Sequence, residues 1–503
     1  MKVCVLYCSD EVSPQGVPAP ARAPIELAEY GPRHEYAYHE LTKNTAVREL
    51  KRLARRDFDV FLNLCDGAWD EPRPGIEVVD ALERLELAFT GAGTAFYEPS
   101  REAMKRVCRY LGIPCPRGAA VRGGDQAASV MARLRFPLIV KHPNSYNSIG
   151  LTPASRVQTL AELEEQIGRM TDRFGGALVE EFVDGREFTV LVAGQTEHPM
   201  PKAYPPMECV LPAGETFKHY DLKWRDYRLL QWRPVADDAL ARQLMRISAE
   251  LFQGLGGSGY ARCDIRVSGT GIPFVLEINP NCAVFYPPDA PGGADAVLHT
   301  IAGGHEEFIE TILADALARQ RANRSRYVVE FAGEQRGYGM YAAASIAPGE
   351  RISRGEEQPH TLVTRRHAVA NWPSRELRWL EQYGYPLNDE VLVSWSADPE
   401  QWSPINHSCD PNAWLEGLDL VARRPIDAGE EITVEYATFI AGTGASFDCQ
   451  CGADGCRGTI TPQDWQLPEI RHRYREHCSA YIAGKWASLV NCSRSRRGTR
   501  PPA

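Results

Sequence analysis

A change of texture near residue 323 constrains this chain more than any single motif. Before it, short apolar runs alternate with stretches of helical spacing. KVCVLYC, VFLNLC, PLIVKH, ALVEEFV, FTVLVA and FVLEIN read as buried strands, several of them rich in Val and Ile. TAVRELKRLARR, GIEVVDALERL, REAMKRVCRYLG, LAELEEQIGRM and DALARQLMRISAELFQGL read as helices. Such alternation layers helices on a sheet, with a largely parallel sheet expected at the start. HEEFIETILADALARQRANRSR then forms one helix that ends in a basic, apolar-poor run, which places a boundary near Asn323. Beyond it, YVVEFAG, VLVSW, LDLVARR and EEITVEY are separated by Gly and Pro turns with few helices, the pattern of a β-rich domain.

Charge and cysteine usage narrow the setting. A formal net charge of −10 speaks against nucleic acid as a partner, since such proteins show a basic face. No apolar run reaches the about 18 residues a membrane span needs. MKVCVLYCSD lacks the ordered regions of a secretory leader. A cytoplasmic protein without membrane partners is therefore expected. The one basic run, SRSRRGTRPPA at residues 493–503, is expected to be disordered. Fourteen cysteines in so long a chain do not make a disulfide framework. Cys4, Cys8, Cys65, Cys108 and Cys209 are scattered and read as small buried hydrophobes, whereas Cys449, Cys451 and Cys456 cluster.

Four segments before residue 323 carry chemistry. In FVLEINPN, Glu277 and Asn279 stand two apart and share a strand face. Asp264, in YARCDIRV, stands on another strand. Two carboxylates and an amide oxygen suit Mg²⁺ on phosphates, and acids in otherwise apolar strands are costly unless paired or metal-bound; solvated acids on a surface strand are the alternative. PLIVKHPNSYNSIGL ends a strand at Lys141 and enters a polar, glycine-containing loop, a cradle for phosphate. ALVEEFVDGREFTVLV offers Glu180, Glu181 and Val183 in an apolar strand, with Glu187 after a turn. That layout can hold an adenine by backbone groups and a ribose by the later acid.

In order and spacing these elements resemble the ATP-grasp superfamily, and D-alanine–D-alanine ligases and their relatives within it. The resemblance spans most of residues 1–320, including VFLNLCDGAWDE and GIEVVDALERLELAFTGAGTAFYEPSREAMKRVCRYLGIPCP. It implies a preATP-grasp subdomain over about 1–98 and ATP-grasp subdomains over about 99–322, with ATP bound between two α+β subdomains. It implies that Lys105 and Lys141 contact ATP phosphates, with Lys223 of YDLKW as a looser match. Ser148 to Gly150 would lie in a flexible loop, Glu180 to Val183 would hold adenine and Glu187 ribose. Asp264, Glu277 and Asn279 would bind Mg²⁺, and Arg262 would stabilise the phosphoryl intermediate. A carboxylate attacks the γ-phosphoryl group, and an amine then attacks the acyl phosphate. Ligases of this kind are commonly homodimers. One departure stands out: NPNCAVFYPPDAPGGADAV replaces the short serine-and-glycine segment that receives the second alanine, so the acceptor is not expected to be D-alanine.

After residue 323, Gly337 and Gly339 flank Tyr338 in QRGYGMYAAASIAPGERI. NHSCDPN, EEITVEYAT and a CxCx₄C segment follow in that order. The ordered set resembles the SET domain of S-adenosylmethionine-dependent lysine methyltransferases with a post-SET zinc segment. The resemblance implies that Cys409 joins Cys449, Cys451 and Cys456 in a closed, structural Zn²⁺ site. Four reduced thiols in a short loop are the alternative. It further implies that Gly337, Tyr338, Gly339, Asn406 and His407 hold S-adenosylmethionine, His407 as a structural hydrogen bonder, and that Tyr436 is the active-site tyrosine. RISRGEEQPHTLVTRRH lacks the tyrosine many such enzymes carry there, and Val434 stands where an aromatic often tunes the number of methyls.

The expectation is a multidomain chain. An N-terminal α/β plus α+β ATP-grasp fold over 1–322 precedes a C-terminal β-rich SET fold over 323–460. The zinc segment covers 447–460, and a C-terminal helix and basic tail cover 461–503. The expected function is bifunctional: ligation of amino acids or peptides with ATP, and N-methylation of an amine of the precursor or product. The alternative is a protein lysine methyltransferase whose front half only recognises a partner.

Overall fold

The structure, a computed structural model, describes every residue except 9–24, 69–71, 124–125, 145–147, 281, 287–290, 397, 399–401, 443–444 and 498–503. The chain divides into two units, Met1–Asn323 and Arg324–Ala503.

The first unit opens with three parallel strands in the order Glu35–Glu40, Lys2–Tyr7, Val60–Asn63. Val3, Cys4, Val5 and Leu6 are all buried, as a strand covered on both faces requires. Between the strands of this unit, parallel pairing stops there. The next two sheets are antiparallel. One runs Gly118–Val121, Ala177–Glu181, Leu138–Lys141, Arg156–Val157. The other runs Gln231–Pro234, Met207–Val210, Gly185–Ala193, Tyr260–Ser268, Pro273–Pro280.

The two faces of that last sheet decide what the unit can do. Phe188, Val190, Val192, Ala261, Cys263 and Ile265 point one way, into a core with Leu244, Ile247, Leu251 and Phe252 of the helix Asp238–Gly254. The intervening residues, Glu187, Thr189, Arg262, Asp264 and Arg266, must point the other way because side chains alternate along a strand. The helix Arg101–Leu111 follows the same logic. Ser100 caps it by accepting the Ala103 N–H at 3.1 Å, and Gly112 ends it in the left-handed region at φ 69°. Met104 and Cys108 turn inward, leaving Arg101 and Lys105, one turn apart, on another face.

The second unit is built of short strands. Tyr327–Phe331, Tyr338–Ala342, Glu431–Val434 and Asn406–His407 form one sheet in that order, the last pair parallel. Three-stranded sheets are formed by Arg351–Ser353, Asp419–Ala422 and Ala413–Glu416, and by Thr361–Thr364, Val391–Ser394 and Tyr385–Pro386. Met340, Ile352, Leu420, Ile432 and Val434 share a core. Trp465, Ile470, Tyr474, Ile482 and Trp486 close a second cluster on Ala437. The final helix, Ala480–Arg497, runs into the basic stretch expected to be disordered, and residues 498–503 of that stretch lie outside the described residues. Among the described residues no helix is long and apolar enough to cross a membrane.

Candidate active sites

In the first unit, one cleft gathers most of the charged residues singled out in the sequence. Lys141, Ser148, Glu180, Glu181, Val183, Glu187, Lys223, Arg262, Asp264 and Glu277 line it, around about 860 Å³ of space that includes its open mouth. Strand pairing explains the convergence. Asp264 pairs with Thr189 on one side and Glu277 on the other, while Arg262 pairs with Asn279 and Arg266 with Glu187. A register shift after Asp264 lets both Leu276 and Glu277 reach the cleft.

Each acid in the cleft has a cationic partner. Arg262 grips Asp264 with two bonds of 3.0 and 2.9 Å, and Thr189 donates a third at 2.9 Å. Burial opposes the Asp264 charge, but Arg262 and Lys218 hold its carboxyl well below the usual range. Arg101 pairs with Glu277, which burial would push up and Arg101 holds down. The Asn279 amide lies between the two acids, 3.1 Å from Glu277 and 3.4 Å from Asp264. Two ionised carboxylates and an amide on one face fit a hard divalent cation.

Glu180 lies between two lysines, 2.5 Å from Lys105 and 2.7 Å from Lys141. Burial would raise its carboxyl, yet Lys141 and Lys105 hold it at about 2. Lys105 also donates to the Pro116 carbonyl at 2.6 Å. It therefore braces Glu180 from behind, and Arg101, one turn earlier, lines the cleft instead. Glu187 meets Lys218 at 2.7 Å and Arg266 at 3.0 Å. Burial together with the nearby Arg262 charge pushes Lys223 down to about 8.

The backbone of residues 180–183 is partly committed. The Glu181 N–H donates to the Arg117 carbonyl and the Phe182 N–H to the Pro137 carbonyl, while the Val183 carbonyl accepts from Arg266. The strand itself ends at Glu181, two residues before Val183. In the loop, Ser148 donates to the Lys218 carbonyl at 3.3 Å, and residues 145–147 lie outside the described residues. Gly150 faces away: a Cβ there would come within 2.9 Å of Phe174, and its φ of 75° suits glycine.

Sequence reasoning missed Arg101, Thr189, Lys218 and Arg266. Thr189 and Arg266 were within reach, because each stands two residues from a residue already placed on the cleft face. The segment after Asn279 is firmly held where it is described. Phe285, at φ 69°, is buried, and the fully buried Asp295 accepts the N–H groups of Phe285 and Gly292 and bonds His305 at 2.8 Å. Residues 287–290 of that segment lie outside the described residues.

In the second unit the four expected sulfurs come together. Cys409, Cys449, Cys451 and Cys456 place their Sγ atoms within 4.8 Å of one another. Backbone N–H groups point at them: Cys409 to Cys451 at 3.5 Å, Arg457 to Cys409 at 3.4 Å and Gly458 to Cys456 at 3.4 Å. Burial works against a Cys451 thiolate, but the N–H groups of Cys409 and Ala453 and the neighbouring thiols bring it to about 6. Four such sulfurs fit a closed tetrahedral Zn²⁺ site.

Beside that cluster lies the rest of the site. Asn406 donates to the Tyr338 carbonyl at 3.3 Å and to Glu431 at 2.8 Å. Gly337 takes φ 67°, and a Cβ on Gly339 would stand 2.7 Å from Glu431 and 2.8 Å from Asn406, so both glycines are required by backbone geometry or space. The Tyr436 N–H donates to His407 Nδ1 at 3.3 Å and its hydroxyl to the Ile405 carbonyl at 2.8 Å. Burial pushes His407 down to about 4, which keeps its ring neutral at neutral pH. Val434 is core, paired with His407. Tyr383, from a helix the sequence reading did not single out, lies close enough to Tyr436 to raise its hydroxyl after burial has done so, and meets Trp402 edge-on at 5.5 Å.

The comparisons with known proteins agree with this division. The family model described as D-ala D-ala ligase C-terminus matches residues 110–283, and the SET domain model matches residues 337–437. A D-alanine–D-alanine ligase of Cupriavidus metallidurans is 30% identical over 275 residues, 54% of this chain and 79% of that protein. One from Bordetella avium is 28% identical over 284 residues, covering 56% of this chain and 84% of the relative. A crystal structure of D-alanine–D-alanine ligase from Bacillus anthracis complexed with ATP covers 64% of this chain at 20% identity, with a TM-score of 0.49.

The fold is thus multidomain, an ATP-grasp part followed by a SET part, both from families of enzymes. The chain belongs to the D-alanine–D-alanine ligase family through its first part, and it carries a SET domain behind it.

Proposed function

We propose that the chain is a bifunctional enzyme. Its first unit joins a carboxylate to an amine with ATP, and its second N-methylates an amine of the precursor or product with S-adenosylmethionine. The observation that carries the ligase half is the convergence of Asp264 and Glu277, with Asn279 bonded to both, and of Lys141, Lys223 and Arg262 on one cleft. A module kept only for recognition has no need of that full set.

Lys141, Lys223 and Arg101 bind phosphate oxygens, and Lys105 keeps Glu180 ionised and in place. Glu187 takes the ribose, held in line by Lys218 and Arg266. Asp264, Glu277 and Asn279 hold Mg²⁺, which when bound neutralises charge on the phosphates. A substrate carboxylate oxygen attacks the γ-phosphorus and ADP leaves. The substrate amine then attacks the acyl carbon and phosphate leaves. Arg262 faces both developing oxyanions. Closure over the cleft excludes water that would hydrolyse the acyl phosphate. The relatives are named for D-alanine. The long, aromatic and proline-rich segment NPNCAVFYPPDAPGGADAV after the metal strand supports an amine other than D-alanine here.

In the second unit, Gly337, Tyr338, Gly339, Asn406 and His407 bind S-adenosylmethionine. Tyr436 orients a neutral amine in line with the sulfonium methyl. Cys409, Cys449, Cys451 and Cys456 bind Zn²⁺, which when bound pins residues 447–460.

The test is phosphate release with ATP, Mg²⁺ and pools of amino acids, D-alanine among them, with products read by mass spectrometry with and without S-adenosylmethionine. A condensed product that gains methyl groups, and disappears with Glu277→Gln, supports the reading. No amino-acid-dependent turnover, with methyl transfer to a protein lysine instead, overturns it.

A further inference from the structure

The zinc segment is joined to the turn carrying Tyr436 by one ion pair, between the residue that follows its last cysteine and the acid inside EEITVEY that precedes the tyrosine. Arg457 follows Cys456 directly. Its backbone N–H donates to Cys409 Sγ at 3.4 Å. Its guanidinium places Nη1 and Nη2 each 2.8 Å from a different oxygen of Glu435. Nε donates to Asp464 at 3.0 Å, and Asp464 also accepts from Thr461 at 2.6 Å. Three of the five guanidinium N–H groups are therefore taken by two carboxylates on two different segments.

Glu435 immediately precedes Tyr436 and is 1% exposed. One of its oxygens accepts the Ala437 N–H at 3.1 Å, and its carbonyl accepts the Thr438 hydroxyl at 2.7 Å. The carboxylate oxygen that accepts the Ala437 N–H stands 3.6 Å from His407 Nδ1, the atom that accepts the Tyr436 N–H. Burial works against the Arg457 charge, and the hydrogen bonds and charge of Glu435 more than offset it. A bidentate pair in so dry a place fixes distance and angle together, and a lysine cannot reproduce both bonds.

We infer that Arg457 and Glu435 are positioning residues that couple the zinc segment to Tyr436, so that the direction of the Tyr436 hydroxyl depends on the sulfur cluster being intact. This rests on the methyltransferase reading for its meaning, though not for its test. The zinc segment then does more than cover a channel. It sets the catalytic turn through a rigid two-bond link whose far end also anchors to Asp464 beside the Trp465 cluster. Arg457 touches neither substrate nor methyl donor in this scheme.

The experiment uses the full chain loaded with zinc. Metal content is read by mass spectrometry, local order by hydrogen exchange of the peptide spanning 434–440, and the methyl-donor site by binding of S-adenosylhomocysteine. Arg457→Met should keep its zinc, exchange about tenfold faster at 434–440, and bind S-adenosylhomocysteine roughly tenfold more weakly. Arg457→Lys should fall between it and the parent, and Glu435→Gln should match it from the other end. Removing zinc from the parent should expose the same peptide and add nothing further in Arg457→Met, as expected of two changes acting through one link. Unchanged exchange at 434–440 in Arg457→Met, or independent multiplication of the two effects, overturns the inference. Loss of zinc from both variants also overturns it, by assigning the pair to metal retention alone. Failure of the parent to bind S-adenosylhomocysteine strikes the methyltransferase reading and leaves the exchange result to decide the coupling.

Discussion

In the first unit, the charged groups stand two residues apart on neighbouring strands, and hydrogen bonds of a continuous sheet fix their spacing. In the second, the corresponding groups come from a two-residue strand, a turn and a loop, and side-chain links hold them together. A site laid on a sheet face is rigid before any ligand arrives, and local substitutions there should change its chemistry or its charge pairing while leaving the fold in place. A site assembled from short pieces draws its order from its clamps, so losing a clamp should remove order and function together.

The largest expected effect belongs to the clamp. Chelating zinc from the second unit should abolish S-adenosylhomocysteine binding and unfold residues 447–460, since binding energy of order 10 kcal/mol is then lost to that segment. ATP-dependent phosphate release by the first unit should continue. Calorimetry and the phosphate assay on one sample check both, and a parallel loss of phosphate release would erase the contrast.

On the sheet face, Arg262→Met should lower amino-acid-dependent phosphate release by roughly 10²–10³-fold, the range for losing a preorganised charge-stabilising donor. Its circular dichroism should stay that of the parent. Collapse of the fold would show the charged face to be structural as well.

Glu180→Gln tests charge pairing within the cleft. It leaves Lys105 and Lys141 without their shared partner and should cost about 3–5 kcal/mol, the range for breaking a buried pair. Because the folded-state carboxyl is depressed from 4.5 to about 2, its contribution is fully present above pH 4.5 and lost as pH falls toward 2. Urea midpoints of the parent should therefore drop across that window, and those of Glu180→Gln should drop less.

Smaller effects sharpen the contrast. Gly339→Ala pushes a methyl against Glu431 and Asn406 and should weaken S-adenosylhomocysteine binding about tenfold by calorimetric titration. Glu181→Gln, at a partly exposed residue 3.7 Å from Arg117, should change stability by less than about 1 kcal/mol.

Legibility followed the range of the interactions. Glu277 and Asn279 could be placed on one face from spacing alone, and a change of hydrophobic period marked where one texture gave way to another. The cysteine spacing brought three sulfurs together, and only the family resemblance brought Cys409 to them. Lys105 shows the limit. Its helix face was readable, but whether it or Arg101 looks into the cleft depends on how that helix lies against the strand carrying Glu277. Cys8, Cys65 and Cys108 read as isolated thiols, yet Cys8 lies close enough to Cys65, and Cys108 to Cys115, to interact. Tyr383 was invisible because it lies far along the chain from the motif it joins.

The sequence by itself determined which residue types were available, the strand faces of the ligase cleft and the order of the methyltransferase motifs, because these rest on periodicities of two to four residues. Tertiary structure alone decided the partners: Arg101 with Glu277, Lys218 and Arg266 with Glu187, Arg457 with Glu435. Each of those contacts closes a loop of tens to hundreds of residues, and nothing local in the chain encodes which distant charge will be waiting when the loop closes.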